Sequence, residues 1–189
     1  MNPTHSSEVK PNWRWTLQRW HRLLAFGFGS GLSPFAPGTA GTLWAWAGYL
    51  IAEQFLDTHA LFWITMSGFF VGCWICGKVS EELGKPDFGG IVFDEIIAFW
   101  LVLILIMPTN FWMQAIAFIL FRVFDAAKPG PIGMIDRHFK HQENSNLPIT
   151  NMQMVWRGFG IMIDDIAAAF ATVFIMLIAH VIGVQLGWA

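Results

Sequence analysis

Five apolar runs, roughly Leu43 to Phe55, Ala60 to Gly77, Ile91 to Met107, Phe111 to Phe124 and Ile161 to Ile182, dominate this chain of 189 residues and restrict it to folds that shelter long greasy segments from water. With 55% apolar and 13% charged residues it departs from the balance of a soluble domain of its length. A helical bilayer span needs about 20 apolar residues, within a range of about 17–25. The second, third and fifth runs meet that length. The first and fourth are short, so they are expected to be tilted, re-entrant or extended by their neighbours. The fold predicted is all-α: a membrane-embedded bundle of about five apolar helices, some short or re-entrant. It forms a single domain over residues 27–189, preceded by a polar and amphipathic segment over residues 1–26.

The cations set a topology. All eleven Lys and Arg residues fall in three places: Lys10, Arg14, Arg19 and Arg22; Lys78 and Lys85; and five between Arg122 and Arg157. If every run crosses once, the three basic regions share one side, and the positive-inside rule makes that side the cytoplasm. The net charge of -2, without a basic stripe, argues against a nucleic-acid partner. Residues 1–12 read as disordered, and the first twenty residues, polar and basic without an apolar core, do not read as a secretory signal. Trp13, Trp15, Leu17 and Trp20, interleaved with Arg14, Arg19 and Arg22, are expected to lie at a bilayer surface. The plainer alternative is a solvated amphipathic start. Cys73 and Cys76 have no further Cys or His nearby to complete a metal site and are expected to be buried structural thiols.

Placed on that topology, the acidic residues converge. Asp94 and Glu95 open the third run, Asp125 closes the fourth, Asp136 follows it, and Asp164 with Asp165 open the fifth. All six are expected at the cytoplasmic ends of helices, at one depth. A charge in the membrane costs about 2.5–3.5 kcal/mol at a helix centre, so carboxylates near that zone are usually paired, hydrated or functional. An oxygen-rich set suits Mg²⁺, which takes one or two carboxylates, waters and a substrate phosphate. Asp94, Glu95, Asp164 and Asp165 are the candidate ligands. Neighbours on a helix point about 100° apart, so one member of each pair is free for other work.

The cationic half comes from FRVFDAAKPGPIGMID, residues 121–136. Arg122 and Asp125 share a helix face with Lys128, and Pro129 and Pro131 stop the helix near Lys128. Arg122 and Lys128 would stabilise a transferring phosphoryl group, with Asp125 or Asp136 as general base, or with Asp136 orienting Lys128. A phospho-aspartyl intermediate is the alternative to attack by a metal-bound water. The glycine-dense stretch GFGSGLSPFAPGTAGT, residues 27–42, argues against a stable helix and for a loop whose backbone approaches a ligand closely. Ser33, Pro37, Gly38, Thr39, Gly41 and Thr42 are its substrate-binding candidates. It matches neither the Walker nor the dinucleotide fingerprint, and a plain connecting loop is the alternative. The rivals to an enzyme are a small carboxylate-lined cation or proton transport bundle and a non-catalytic lipid-binding scaffold.

Four blocks in order, GFGSGLSPFAPGTAGT, IVFDE, FRVFDAAKPGPIGMIDR and GIMIDD, resemble the phosphatidylglycerophosphatase A family, bacterial enzymes that convert phosphatidylglycerophosphate to phosphatidylglycerol. The resemblance runs from Gly27 to about Ile175. It implies an all-helical fold, Mg²⁺ dependence, residence in the bacterial inner membrane and a role in phospholipid synthesis. It places Asp94, Glu95, Asp125, Lys128, Asp136, Asp164 and Asp165 at active-site positions. The partners implied are the lipid substrate and membrane lipids, and nothing in the sequence fixes an oligomeric state. Ala98 and Ala169 stand where the family often has glycine; both are small, so close helix packing is expected to survive. The polar stretch KHQENSNLPITNMQMVW is longer than in compact members, and His138 and His141 nearby are expected in a solvated loop.

Overall fold

The computed structural model describes residues 10–85, 88–127 and 150–187, and all regular structure among them is helical. In chain order these are α1 (Trp13–Leu17), α2 (Trp20–Ala25), a 3₁₀ segment (Gly27–Leu32), α3 (Pro37–Ala52), α4 (Thr58–Leu83), α5 (Phe93–Leu105), α6 (Phe111–Ala127) and α7 (Asn151–Gln185). Lys128, Pro129, Pro131, Asp136, His138 and His141 lie outside the described residues.

Each apolar run forms a helix, with bounds set by local chemistry. Asp57 caps α4 by accepting from the Ala60 N–H at 2.7 Å, and Gly84 ends it in the left-handed conformation. Thr150 and Gln153 close a capping box at the start of α7. That box starts the helix well ahead of its apolar run. The end of the polar stretch, from Asn151 to Trp156, is therefore helical, and Asp164 and Asp165 sit inside α7 and not at its opening.

The central pair is α4 and α7. A Cβ on Gly158 would lie 1.8 Å from the Cys73 carbonyl oxygen, and one on Gly77 would lie 2.1 Å from that of Met154. Backbone thus meets backbone, the packing mode that small residues allow between membrane helices. These two helices are long and apolar enough to cross a membrane. The third run is not. Its helix, α5, has 13 residues and rises about 20 Å, short of a bilayer core of about 30 Å. Pro108 follows closely and cannot continue it.

The glycine-dense stretch also departs from expectation. It divides into the 3₁₀ segment and the first turns of α3, with Pro37 at the helix start, where its missing N–H costs nothing. Glycine in a helix costs about 0.5–1 kcal/mol against alanine, but here it lets α3 close onto its neighbours. A Cβ on Gly38 would fall 2.2 Å from Glu95 Oε1, and one on Gly41 would fall 2.6 Å from Val92.

Two buried clusters fill the bundle. One joins α3, α5, α6 and α7 around Tyr49, Phe99, Val102 and Phe121; the other joins α2 to α4, α5 and α7 around Phe26, Ile75, Val79 and Met162. Outside them, Trp63 and Phe70 on α4, Trp112 and Ile119 on α6, and Phe170, Phe174 and Leu177 on α7 are exposed. So much exposed apolar surface is a liability in water and suits a lipid environment.

The N-terminal segment is only half superficial. Trp13, Leu17 and Trp20 are exposed, but His21 and Arg22 are buried against α4. Glu82 binds both, at 2.6 Å from Arg22 Nε and 3.1 Å from His21 Nε2, and the Arg22 guanidinium stacks 4.0 Å from the Trp15 ring centroid. Arg22 is thus an internal tie and not an interfacial cation. Cys73 and Cys76 are free and buried, with Cys76 Sγ 3.9 Å from Met162 Sδ.

Candidate active site

Two helices bring three carboxylates to one point. Asp94 and Glu95 form the first turn of α5, where the helix dipole favours negative charge. Asp165 comes from the middle of α7. Each of the three offers an oxygen within 4.8 Å of the others, and all three residues are buried. Asp94 Oδ1 accepts the Glu95 backbone N–H at 3.0 Å, which fixes its rotamer at the helix start. Asp164 is also buried but lies outside this triad, its neighbour on α7 having turned inward. Of four predicted ligands the structure therefore gathers three.

Among the described residues, the cation in contact with Glu95 is Arg122, near the C-terminal end of α6. Its Nη1 lies 2.6 Å from Asp125 Oδ2, one turn along the same helix, and 3.4 Å from Glu95 Oε1. It also donates to Thr42 Oγ1 on α3 at 3.3 Å. Thr42 itself donates to the Gly38 carbonyl at 2.9 Å. Gly38 has no side chain because Glu95 and Arg122 fill that space. Arg122 Nε and Glu95 Oε2 are buried with no hydrogen-bond partner among the described residues.

Glu95 Oε2 has no hydrogen-bond partner among the described residues, and an orphaned carboxylate oxygen in a buried setting is costly. A donor set made of hard oxygens, crowded within ligand distance and with one oxygen orphaned, fits a divalent cation of the Mg²⁺ type. The unspent Arg122 donor beside it fits an anion. The arrangement can therefore hold a metal and a phosphate side by side.

The predicted substrate-binding residues divide. Gly38 and Thr42 reach the site, whereas Gly41 packs on Val92. Ser33 donates to the Phe35 carbonyl at 2.8 Å and, with Pro37, lines a separate cavity of about 320 Å³ beside Gly31, Gly89 and Gly90. Thr39 is half-buried in the first turn of α3. Tyr49 has a buried hydroxyl with no partner among the described residues, but its ring packs on Trp100 in the apolar core and not on the carboxylates.

The family profile for phosphatidylglycerophosphatase A matches residues 23–180. The chain is 39% identical over 170 residues to phosphatidylglycerophosphatase A of Escherichia coli strain K12, covering 88% of this chain and 86% of that protein. It is 36% identical over 154 residues to the Haemophilus influenzae protein of the same name, covering 82% and 85%. A Bacteroides thetaiotaomicron protein named as a putative phosphatidylinositol-3-phosphatase is 34% identical over 165 residues, covering 84% and 92%. No solved structure matches. The chain belongs to the phosphatidylglycerophosphatase A family.

Proposed function

We propose that this chain is a Mg²⁺-dependent lipid phosphatase that hydrolyses phosphatidylglycerophosphate to phosphatidylglycerol and inorganic phosphate. The observation that carries this reading is the buried triad of Asp94, Glu95 and Asp165 with Arg122 beside it, inside an apolar helical bundle. Membership of the family supports phosphatidylglycerophosphate as the substrate.

Asp94, Glu95 and Asp165, with Asp164 adjacent on α7, would hold the metal. When bound, Mg²⁺ neutralises phosphate oxygens and lowers the pKa of a coordinated water. Arg122 binds the phosphoryl oxygens and offsets the charge that builds on them in the transition state. Asp125 spends Oδ2 on Arg122, which favours Asp136 as the general base, with Lys128 as the second cation. In the reaction a water oxygen bonds to phosphorus, the bond from phosphorus to the ester oxygen breaks, and the departing glycerol oxygen takes up a proton.

The enzyme is placed in the bacterial inner membrane as a multi-pass protein, with the site facing the cytoplasm. Support comes from charge. Lys78 on the last part of α4, Arg122 on the last part of α6 and Arg157 on the first part of α7 lie at the helix ends that follow the positive-inside pattern. The name of the Bacteroides relative makes phosphatidylinositol 3-phosphate the second substrate to assay.

The test is phosphate release by the purified chain in detergent micelles from each of these two lipids, with Mg²⁺ or with EDTA. Metal-dependent release, faster from phosphatidylglycerophosphate, is expected. Ion flux into liposomes without phosphate release would replace the enzyme with a transport bundle.

A further inference from the structure

Thr42 was expected to touch substrate, yet its hydroxyl is already committed. Its one proton goes to the Gly38 carbonyl at 2.9 Å, a bond within α3 that a buried threonine makes to the residue four positions back. A hydroxyl has one donor and two acceptor lone pairs, so what Thr42 Oγ1 still offers is acceptor capacity. A phosphate offers acceptors too and gains nothing from it. Arg122 does gain, since its Nη1 donates to Thr42 Oγ1 at 3.3 Å.

Among the described residues, the three contacts to the Arg122 guanidinium fall on that same nitrogen: Thr42 Oγ1, Glu95 Oε1 at 3.4 Å and Asp125 Oδ2 at 2.6 Å. They come from three different helices, α3, α5 and α6. Nε has no partner among the described residues. A guanidinium is planar, and pinning one terminal nitrogen from three directions sets the orientation of the remaining donors. Asp125 alone would not do so, because a carboxylate one turn away on the same helix leaves the plane free to roll about that contact. Thr42 supplies the reference from across the interface, and its own rotamer is locked by the Gly38 bond.

We propose that Thr42 is a positioning residue, which with Asp125 anchors Arg122 by Nη1 so that its Nε side is kept for the phosphate monoester. This rests on the phosphatase reading above.

The test compares Thr42→Ser, which keeps the oxygen, with Thr42→Val, which keeps the shape and removes it. Turnover of phosphatidylglycerophosphate and binding of inorganic phosphate in the presence of Mg²⁺, measured by titration calorimetry, are followed for each. A hydrogen bond to a charged group gives the scale, so Thr42→Val should weaken phosphate binding and lower kcat/KM by about tenfold or more. Thr42→Ser should stay within about threefold of the native chain, and the Mg²⁺ concentration giving half-maximal activity should not move in either variant. If Thr42→Val does not accumulate, Thr42→Cys gives the same comparison, because a thiol is a weak acceptor of similar size. Native phosphate affinity in Thr42→Val, or equal losses in the serine and valine variants, would overturn the positioning role and leave the phosphatase reading intact. A native chain that binds phosphate but releases none from either lipid would sink the phosphatase reading, and Thr42 would then stand or fall on the binding data alone. A native chain that binds no phosphate would end both.

Discussion

Arg122 Nη1 and Asp125 Oδ2 lie 2.6 Å apart on successive turns of α6, and Glu95 Oε1 approaches the same nitrogen from α5 at 3.4 Å. The three side chains are between 11% and 19% exposed, so the group is largely out of solvent. Removing one partner of a buried ion pair strands the other charges, at a cost of about 3–5 kcal/mol. Arg122→Ala should therefore lower thermal stability in detergent and reduce kcat by about 10²–10³-fold, the range seen when one transition-state donor is lost. Arg122→Lys should recover most of the stability and little of the rate, since a point charge cannot reproduce the planar fork. Equal rates for the lysine and native proteins would remove Arg122 from the chemistry.

Gly38 gives a second, steric test of the same contact. In Gly38→Ala the new methyl would sit 2.2 Å from Glu95 Oε1 and 2.7 Å from Arg122 Nη2, so both side chains must move. Overpacking of this kind costs about 1–3 kcal/mol. The helix should survive, because alanine is the better helix former. Activity should drop by at least tenfold while the far-ultraviolet circular dichroism is unchanged, on the scale of about 1.4 kcal/mol per decade. Retained activity would show that the space beside Gly38 is not needed.

At the crossing of α4 and α7 the obstacle is backbone. A Cβ on Gly158 would lie 1.8 Å from the Cys73 carbonyl oxygen, whereas nothing lies within 4 Å of one on Gly183 near the other end of α7. Gly158→Ala should force the helices apart and destabilise the fold by at least the ~1–3 kcal/mol typical of overpacking. Gly183→Ala should be neutral or stabilising by up to ~1 kcal/mol, the helix-propensity difference. Melting temperatures of the two variants in one detergent decide the matter. Similar values would mean that the crossing is looser than the structure indicates.

Glu82 holds α2 to α4 through Arg22 and His21. Glu82→Gln removes the charge that pairs with a buried arginine, and it should detach the N-terminal helices without unfolding the bundle. Limited trypsin digestion should then cut near Arg19 and Arg22 at least ten times faster than in the native chain, on the scale of a charged hydrogen bond of about 1.5–3 kcal/mol. An unchanged cleavage rate would show that apolar packing alone holds α2 in place.

Hydrophobic runs and their spacing made the helices legible, because burial demands apolar length whatever the partner. The carboxylates were legible for a related reason: Asp94, Glu95 and Asp165 are too costly in apolar helices to be incidental. What sequence could not supply was pairing in space. Nothing local distinguishes Asp164 from Asp165, and only the rotation of α7 against α5 turns one of them into the triad. The glycines of residues 37–42 read as a loop because glycine disfavours helix, yet their cause is the approach of Glu95, Arg122 and Val92 from distant segments. Arg22 read as a surface cation because its counter-charge, Glu82, lies 60 residues away.

The most direct test of the active-site assignment is phosphate release from phosphatidylglycerophosphate as a function of Mg²⁺ concentration, for the native chain and for Asp165→Asn and Asp164→Asn. The native chain should be inactive in EDTA and recover fully with Mg²⁺. Asp165→Asn should lose about 10²-fold or more in rate, and it should need at least tenfold more Mg²⁺ for half-maximal activity, in line with the loss of a metal-holding carboxylate. Asp164→Asn should shift the Mg²⁺ requirement less. Turnover at the native rate by the EDTA-treated chain, or by Asp165→Asn at unchanged Mg²⁺, would contradict the assignment of the Asp94, Glu95 and Asp165 triad as the catalytic metal centre.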